Sequence, residues 1–309
     1  MFEWVTPGFD PAATVLVLLV ALVTTAGGVR AATAKARAAR ERLVATPGGR
    51  IRLYRGGIIT SIALTLAASA VAATDGVGLA ALGLRPVGAG DVALAAGVSA
   101  WFALVVVVNH ARFARARRDG ARTPGRRGGE EALARIRFLQ PVTAAERWLA
   151  GLLSVSVGIG EEVVYRGLFI AAGVGILGLD AWVAAGLSLL LFGAAHLYQG
   201  WRGVLGATVL GSLFTLLYDF TGGLFAPIVV HAVFDVAALV AGPLVARWVE
   251  RRPPSPAATP APGPAAAPAA GSTAPAPAAA SPAAAPAASP AASPAVNPGP
   301  LTLRSATPE

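Results

Sequence analysis

Three short motifs place ionisable side chains inside long apolar stretches of this 309-residue chain. They read "GEEVVYRG" at 160–167, "FGAAH" at 192–196 and "HAVFD" at 231–235. Together they supply six ionisable groups: Glu161, Glu162, Arg166, His196, His231 and Asp235. Because an ionised side chain at the centre of a bilayer costs at least about 2.5 kcal/mol, such groups are expected to be paired or functional.

Spacing within the first motif separates its two carboxylates. Glu162 and Arg166 are four residues apart, so they share one helix face and can form an ion pair. Glu161 points about 100° away from that face and lacks this partner.

The later motifs repeat the four-residue spacing on two further helices. Phe192 and His196 share one face, and His231 and Asp235 share another. His196 follows Glu161 by 35 residues, and His231 follows His196 by 35, which leaves room for one helix and a return. Neighbouring helices of a bundle can therefore bring the three polar stripes together.

Three interpretations of this arrangement remain open at this point: polar contacts that hold helices together, a proton or ion path, and a hydrolytic site. In a hydrolytic site a carboxylate beside a histidine acts as general base. His231 can then donate to an oxyanion, and Asp235 can orient His231 or ligate a metal. Two histidines with carboxylates also form an acceptable zinc set.

The elements that must position these groups are apolar helices. Long apolar runs occupy 12–29, 57–74, 91–109, 148–160 with 167–178, 181–197, 203–218 and 224–246. About 20 apolar residues span a bilayer core. The sequence therefore predicts an all-α, polytopic transmembrane bundle of about seven to eight membrane segments, in which 148–178 crosses either once or twice.

Basic residues collect in two loops, with eight Lys/Arg in 30–56 and ten in 110–147. Such loops lie on the cytoplasmic side of membrane proteins. The distribution predicts an integral, multi-pass membrane protein with its N-terminus outside and its C-terminus cytoplasmic. The net charge of +9 lies mainly in these loops beside the apolar runs. Membrane lipids are therefore the expected binding partner of the basic residues, and no nucleic-acid partner is expected.

Composition divides the chain into three regions. Residues 1–139 are predicted to be an N-terminal transmembrane region with basic cytoplasmic loops, and 140–246 to be the core that carries the motifs. Residues 247–309 are rich in proline and alanine and contain too little to bury in a core, so a disordered tail is predicted there.

The three motifs together resemble those of the CAAX-processing and bacteriocin-immunity (CPBP, Abi) family of intramembrane proteases, written E-E-x-x-x-R, F-x-x-x-H and H-x-x-x-N/D. The order, the spacing and the membrane setting all match, over about 140–246. The resemblance implies a helical bundle with an intramembrane cavity and an endopeptidase that acts on membrane-associated protein or peptide substrates. The alternative is a membrane scaffold or bacteriocin-immunity-type protein that retains the motifs without catalysis.

The resemblance also assigns roles to residues. It implies that Glu161 with His196 activates a water, and that His231 and Asp235 hold the oxyanion side. Supporting roles fall to Glu162, Arg166 and Phe192.

No cofactor is firmly predicted; a divalent metal such as zinc, if present, would use the four catalytic candidates Glu161, His196, His231 and Asp235. An ionised Asp235 cannot donate a hydrogen bond as an asparagine would, so Asp235 is expected to be protonated, to serve His231 or to bind a metal. Tyr198 and Trp201 are expected to be interface anchors.

Overall fold

A computed structural model describes residues 6–119 and 137–253, and every regular element within them is a helix. The principal helices are α1 (Pro11–Ala32), α2 (Ala34–Ala45), α3 (Gly49–Ala72), α4 (Ala89–Arg118), α5 (Ala144–Gly175), α6 (Ala181–Ala195), α7 (Trp201–Thr221) and α8 (Phe225–Glu250). Single turns at Gly78–Ala81, Arg137–Leu139 and Leu197–Gln199 join them. The predicted all-α class is thereby confirmed. The predicted tail is described only over 247–253, because 254–309 lie outside the described residues.

Six of these helices are long and apolar enough to cross a membrane, namely α1, α3, α4, α5, α7 and α8. The predicted run at 181–197 corresponds to α6, a shorter apolar helix of 15 residues. Large apolar side chains point outward from these helices; Leu22 is 63% exposed and Phe220 is 79% exposed. Apolar surface on this scale requires a lipid surround, and the chain is an integral, multi-pass membrane protein.

Helix ends follow from local sequence. Asp10 begins α1 by accepting a hydrogen bond from the Ala13 amide at 2.6 Å. Thr143 and Glu146 form a reciprocal capping box at the start of α5, which satisfies amides that have no partner within the helix. The last helix, α8, continues to Glu250, four residues past the predicted boundary at 246.

The centre of the bundle is α5, which packs against α3 on one side and α8 on the other. It is one continuous helical segment from Ala144 to Gly175, not two helices joined by a turn. Its middle, Glu162–Phe169, is a π-helix in which all eight residues are buried. A π-helix is rare and occurs mostly at functional sites. The first motif therefore lies on an irregular segment at the most enclosed level of the bundle.

Small residues let the helices approach closely, as in other membrane bundles. A Cβ atom on Gly158 of α5 would lie only 2.9 Å from the Ala232 amide nitrogen of α8. A Cβ atom on Gly28 of α1 would lie 2.6 Å from the Ala195 Cα. These two contacts set the distances of α8 and of the end of α6 from their neighbours.

Gly158 tests this packing against a matched position on the same helix. We expect Gly158→Ala to lower the free energy of unfolding by about 1–3 kcal/mol, because the added methyl group meets backbone rather than a flexible side chain. Gly151→Ala is the control, since a Cβ atom there meets nothing within 4 Å. The measurement is the thermal unfolding midpoint of purified protein in detergent. Equal midpoints for the two variants would contradict the close α5–α8 contact.

Candidate active site

Glu162 is the buried centre of the site. Its side chain is fully buried, and its Oε1 atom accepts two hydrogen bonds. Arg166 Nη1 donates to it at 3.1 Å, and His231 Nδ1 donates to it at 2.7 Å. The pairing with Arg166 is the one that four-residue spacing predicts; the bond to His231 comes from α8 and has no signal in local spacing.

Arg166 ties α5 to two other helices. Its Nη2 atom donates to the Gly211 carbonyl of α7 at 2.8 Å, and its Nε atom donates to Thr215 Oγ1 at 3.4 Å. The guanidinium lies over the Phe192 ring of α6, 4.5 Å from the centroid. A Cβ atom on Gly211 would lie 2.8 Å from Arg166 Nη2, so a larger residue here would displace the guanidinium. The guanidinium is thus enclosed by hydrogen-bond acceptors and an aromatic ring, as a buried guanidinium requires.

His231 is held in one orientation by Glu162 and by the Phe214 ring, which stacks on the imidazole at 4.7 Å. Because a carboxylate oxygen only accepts, the proton on Nδ1 is fixed by the Glu162 contact. The other nitrogen, Nε2, lies 3.8 Å from Glu161 Oε2 and 3.8 Å from Asp235 Oδ2. This nitrogen accepts a hydrogen bond when the ring is neutral and donates one when it is protonated.

Glu161 lies at the end of the regular α-helical part of α5, and its side chain is 27% exposed. Its Oε2 atom is buried and makes no hydrogen bond within residues 6–119 and 137–253. A buried carboxylate oxygen without a donor is costly unless water or a ligand supplies one. Glu162 Oε2 is likewise buried without a partner among the described residues, but Glu162 is fully buried and held through Oε1, whereas the Glu161 side chain is partly exposed. Glu161 is therefore the carboxylate of the cluster that is placed to engage a water or a substrate.

His196 stands beside this cluster rather than inside it. Its Nδ1 atom lies 2.8 Å from the Phe192 carbonyl, so Nδ1 carries a proton and Nε2 is the acceptor in the neutral ring. Its ring contacts the Phe192 ring at 4.5 Å and the Tyr198 ring at 6.2 Å. In the described chain no hydrogen bond or ion pair joins His196 to Glu161. The structure thus brings five of the six motif groups into one cluster and connects His196 to it through Phe192.

A cavity of about 460 Å³ opens beside Glu161, within the size range of ligand sites. Its wall consists mainly of apolar residues of α1, α3 and α5, with Glu161 and Tyr165 on the α5 side. Arg40 of α2 also lines it, and its guanidinium lies 5.1 Å from the Phe138 ring centroid and 5.8 Å from that of Tyr198. Glu161 is the member of the motif cluster that lines this cavity.

No local sequence pattern predicted that Arg40 or Phe138 lies at the site, and Tyr198 was expected to be an interface anchor. Trp201 fits that expectation, since it is 70% exposed, but Tyr198 lines the cavity. Burial raises the pKa of the Tyr198 phenol to about 12, so the hydroxyl stays neutral. The contact of Phe138 with Arg40 spans about 100 positions along the chain, and no local pattern predicts it.

A metal held by the four predicted ligands Glu161, His196, His231 and Asp235 stays a prediction. Within the described part of the chain, no group of three or more histidine and carboxylate side chains is placed to hold a metal ion. His231 Nδ1 is occupied by Glu162, and its Nε2 is 3.8 Å from each neighbouring carboxylate.

Comparison with known proteins agrees with the motifs. A family model described as "Rce1-like: Type II CAAX prenyl endopeptidase Rce1-like" matches residues 143–237. The segment 143–237 is Rce1-like. This confirms the predicted resemblance to the CAAX-processing family for that part of the chain. Neither the curated proteins nor the solved structures gave a match.

The Rce1-like segment contains every motif residue, from Glu161 to Asp235, and covers just under a third of the chain. Helices α1 to α4 precede it. Two of these, α1 and α3, form much of the cavity wall, and α2 contributes Arg40. The site is thus built by the family segment, while a large part of the adjoining cavity comes from outside it.

Arg166 provides a stability test of the buried cluster. We expect Arg166→Met to lower the free energy of unfolding by about 3–5 kcal/mol, because Glu162 then remains buried without its cation. Adding Glu162→Gln should recover part of this loss, since it removes the unpaired charge. Thermal unfolding midpoints measure both effects, with Arg202→Met, at an exposed position, as the control. A double variant no more stable than Arg166→Met alone would contradict charge pairing as the role of Arg166.

Proposed function

We propose that this protein is an intramembrane endopeptidase that hydrolyses peptide bonds of membrane-associated protein or peptide substrates. One observation carries the proposal: Glu161 lines the cavity and also lies 3.8 Å from His231 Nε2, with its Oε2 atom lacking a hydrogen-bond partner in the described chain. A carboxylate so placed can engage a water that faces a bound peptide. The Rce1-like match of 143–237 supports the same reaction class.

Glu161 acts as the general base in this proposal. It accepts a proton from a water while the water oxygen forms a bond to the carbonyl carbon of the substrate. His196 assists by accepting a hydrogen bond from the same water through Nε2, the nitrogen left free by the Phe192 contact. When the carbon–nitrogen bond breaks, the proton held by Glu161 passes to the leaving amine.

His231 stabilises the oxyanion that forms on the carbonyl oxygen. Its Nδ1 atom is engaged by Glu162, so only Nε2 is free to donate to the substrate. Donation requires a protonated ring, and Glu162 and Asp235 on either side stabilise that imidazolium. This gives Asp235 the role of serving His231, which agrees with the 3.8 Å separation of Oδ2 from Nε2. A preorganised donor at this position is worth several kcal/mol in the transition state.

The substrate is expected to approach from the cytoplasmic side. The basic loops favour a cytoplasmic position for α2 and for the C-terminal end of α8, with the N-terminus of the chain outside. This orientation requires the shorter helix α6 to cross the membrane in addition to the six longer helices. The matched family is described by its action on CAAX prenyl proteins, in which a lipid-modified cysteine lies near the C-terminus. A cavity with mainly apolar walls beside the catalytic carboxylate suits a substrate that is part lipid and part peptide.

Replacement of Glu161 tests the proposal directly. We expect Glu161→Gln to reduce cleavage at least about 100-fold, because glutamine cannot accept the proton of the water. Folding should be retained, since Glu161 is not part of the Glu162–Arg166 pair. The measurement is cleavage of a farnesylated peptide with a C-terminal CAAX box by purified protein in nanodiscs. Asp75→Asn, at an exposed position, is the control for loss of one carboxylate.

Undiminished cleavage by Glu161→Gln would refute the assignment. A cellular phenotype that survives the change would favour a non-catalytic scaffold.

A further inference from the structure

Arg40 combines features that a purely structural arginine does not need. It belongs to α2, outside the Rce1-like segment, yet it lines the same cavity as Glu161. It is the one basic side chain in the described lining of that cavity. In a wall that is otherwise mainly apolar, a single guanidinium defines where a negative charge can bind.

The position of Arg40 is fixed by neighbours that leave its charge unneutralised. Its Nη2 atom donates to the Ala31 carbonyl at 2.8 Å, and its guanidinium lies over the Phe138 and Tyr198 rings. Its Nε atom is buried and has no hydrogen-bond acceptor among the described residues. Nor does any carboxylate of residues 6–119 and 137–253 form an ion pair with it. Burial lowers the pKa of Arg40, but an arginine remains charged at neutral pH.

The size of the cavity suits a short peptide end between Arg40 and Glu161. A sphere of 460 Å³ is about 10 Å across, and three extended residues also span about 10 Å. A CAAX box places three residues after the modified cysteine. A carboxylate at the end of those residues would therefore meet a cation on the cavity wall while the bond after the cysteine faces Glu161.

We propose that Arg40 binds the C-terminal carboxylate of the substrate and so selects free chain ends for cleavage. This inference rests on the proposed endopeptidase function. It assigns a specificity-determining residue to the N-terminal helices, and it explains an arginine held over two adjacent aromatic rings without an ion-pair partner among the described residues. Planar, bidentate pairing with a carboxylate is the interaction for which a guanidinium is best suited.

The experiment measures binding separately from cleavage. Full-length protein carrying Glu161→Gln, which prevents turnover, is placed in phosphatidylcholine nanodiscs. Two fluorescent farnesylated CAAX peptides are then titrated, identical except that one ends in a free carboxylate and the other in a carboxamide. We expect the carboxylate peptide to bind about 10- to 100-fold more tightly, the range for a hydrogen bond to a charged group. Arg40→Gln should remove this preference and leave binding of the carboxamide peptide unchanged.

Two variants serve as controls. Arg40→Lys keeps the charge but not the planar fork, so part of the preference should remain. Arg42→Gln removes an exposed charge from the same helix and should bind both peptides as the parent does. The inference would be overturned if Arg40→Gln weakened the binding of both peptides equally, or if the parent bound the two peptides with equal affinity. An Arg40 effect that appears only when phosphatidylserine is added would also overturn it, because the arginine would then bind a lipid headgroup.

Cleavage of the same two peptides by protein with Glu161 intact separates the inference from the function on which it rests. Cleavage without carboxylate preference would leave the endopeptidase in place and remove the role of Arg40. Tighter binding of the carboxylate peptide without cleavage of either peptide would keep Arg40 as the carboxylate-binding residue and remove the endopeptidase assignment.

Discussion

The structure depends on one buried carboxylate oxygen. Glu162 Oε1 accepts from Arg166 and from His231 in the most enclosed part of the bundle. An anion at this depth is tolerable only when its partners are charged and hydrogen-bonded themselves. Arg166 meets that condition through the Gly211 carbonyl and the Phe192 ring. The requirement to satisfy a single charge thus fixes the relative positions of α5, α6, α7 and α8.

The same constraint prepares the chemistry. By occupying Nδ1 of His231, Glu162 turns Nε2 towards Glu161 and Asp235, so the groups assigned to the proposed reaction are oriented before any substrate binds. Glu161 has no such partner and faces the cavity, which gives the two adjacent glutamates different tasks. The division resembles a general pattern in catalytic sites, where one carboxylate is held by protein groups and its neighbour remains available to the reaction. Preorganisation of this kind is costly to build but lowers the reorganisation needed during catalysis.

Local sequence spacing predicted part of this site well. Four-residue spacing indicated the Glu162–Arg166 pair and placed Glu161 on another face, and both features are present. The apolar runs predicted the helices that carry the three motifs. No pattern in the sequence predicted the π-helix at Glu162–Phe169, whose eight residues are all buried. The His231–Glu162 bond and the cavity position of Arg40 join residues far apart in the chain, so only the packed bundle defines them.

Nitrogen-15 NMR of histidine-labelled protein in lipid bilayers tests the central interaction most directly. The chain has three histidines, so the His231 signal can be identified as the one that disappears in His231→Gln. The account predicts that His231 carries a proton on Nδ1 in a short hydrogen bond, and that Glu162→Gln shifts this resonance while those of His110 and His196 stay in place. A His231 resonance from an unprotonated Nδ1, or one that Glu162→Gln does not move, would contradict it.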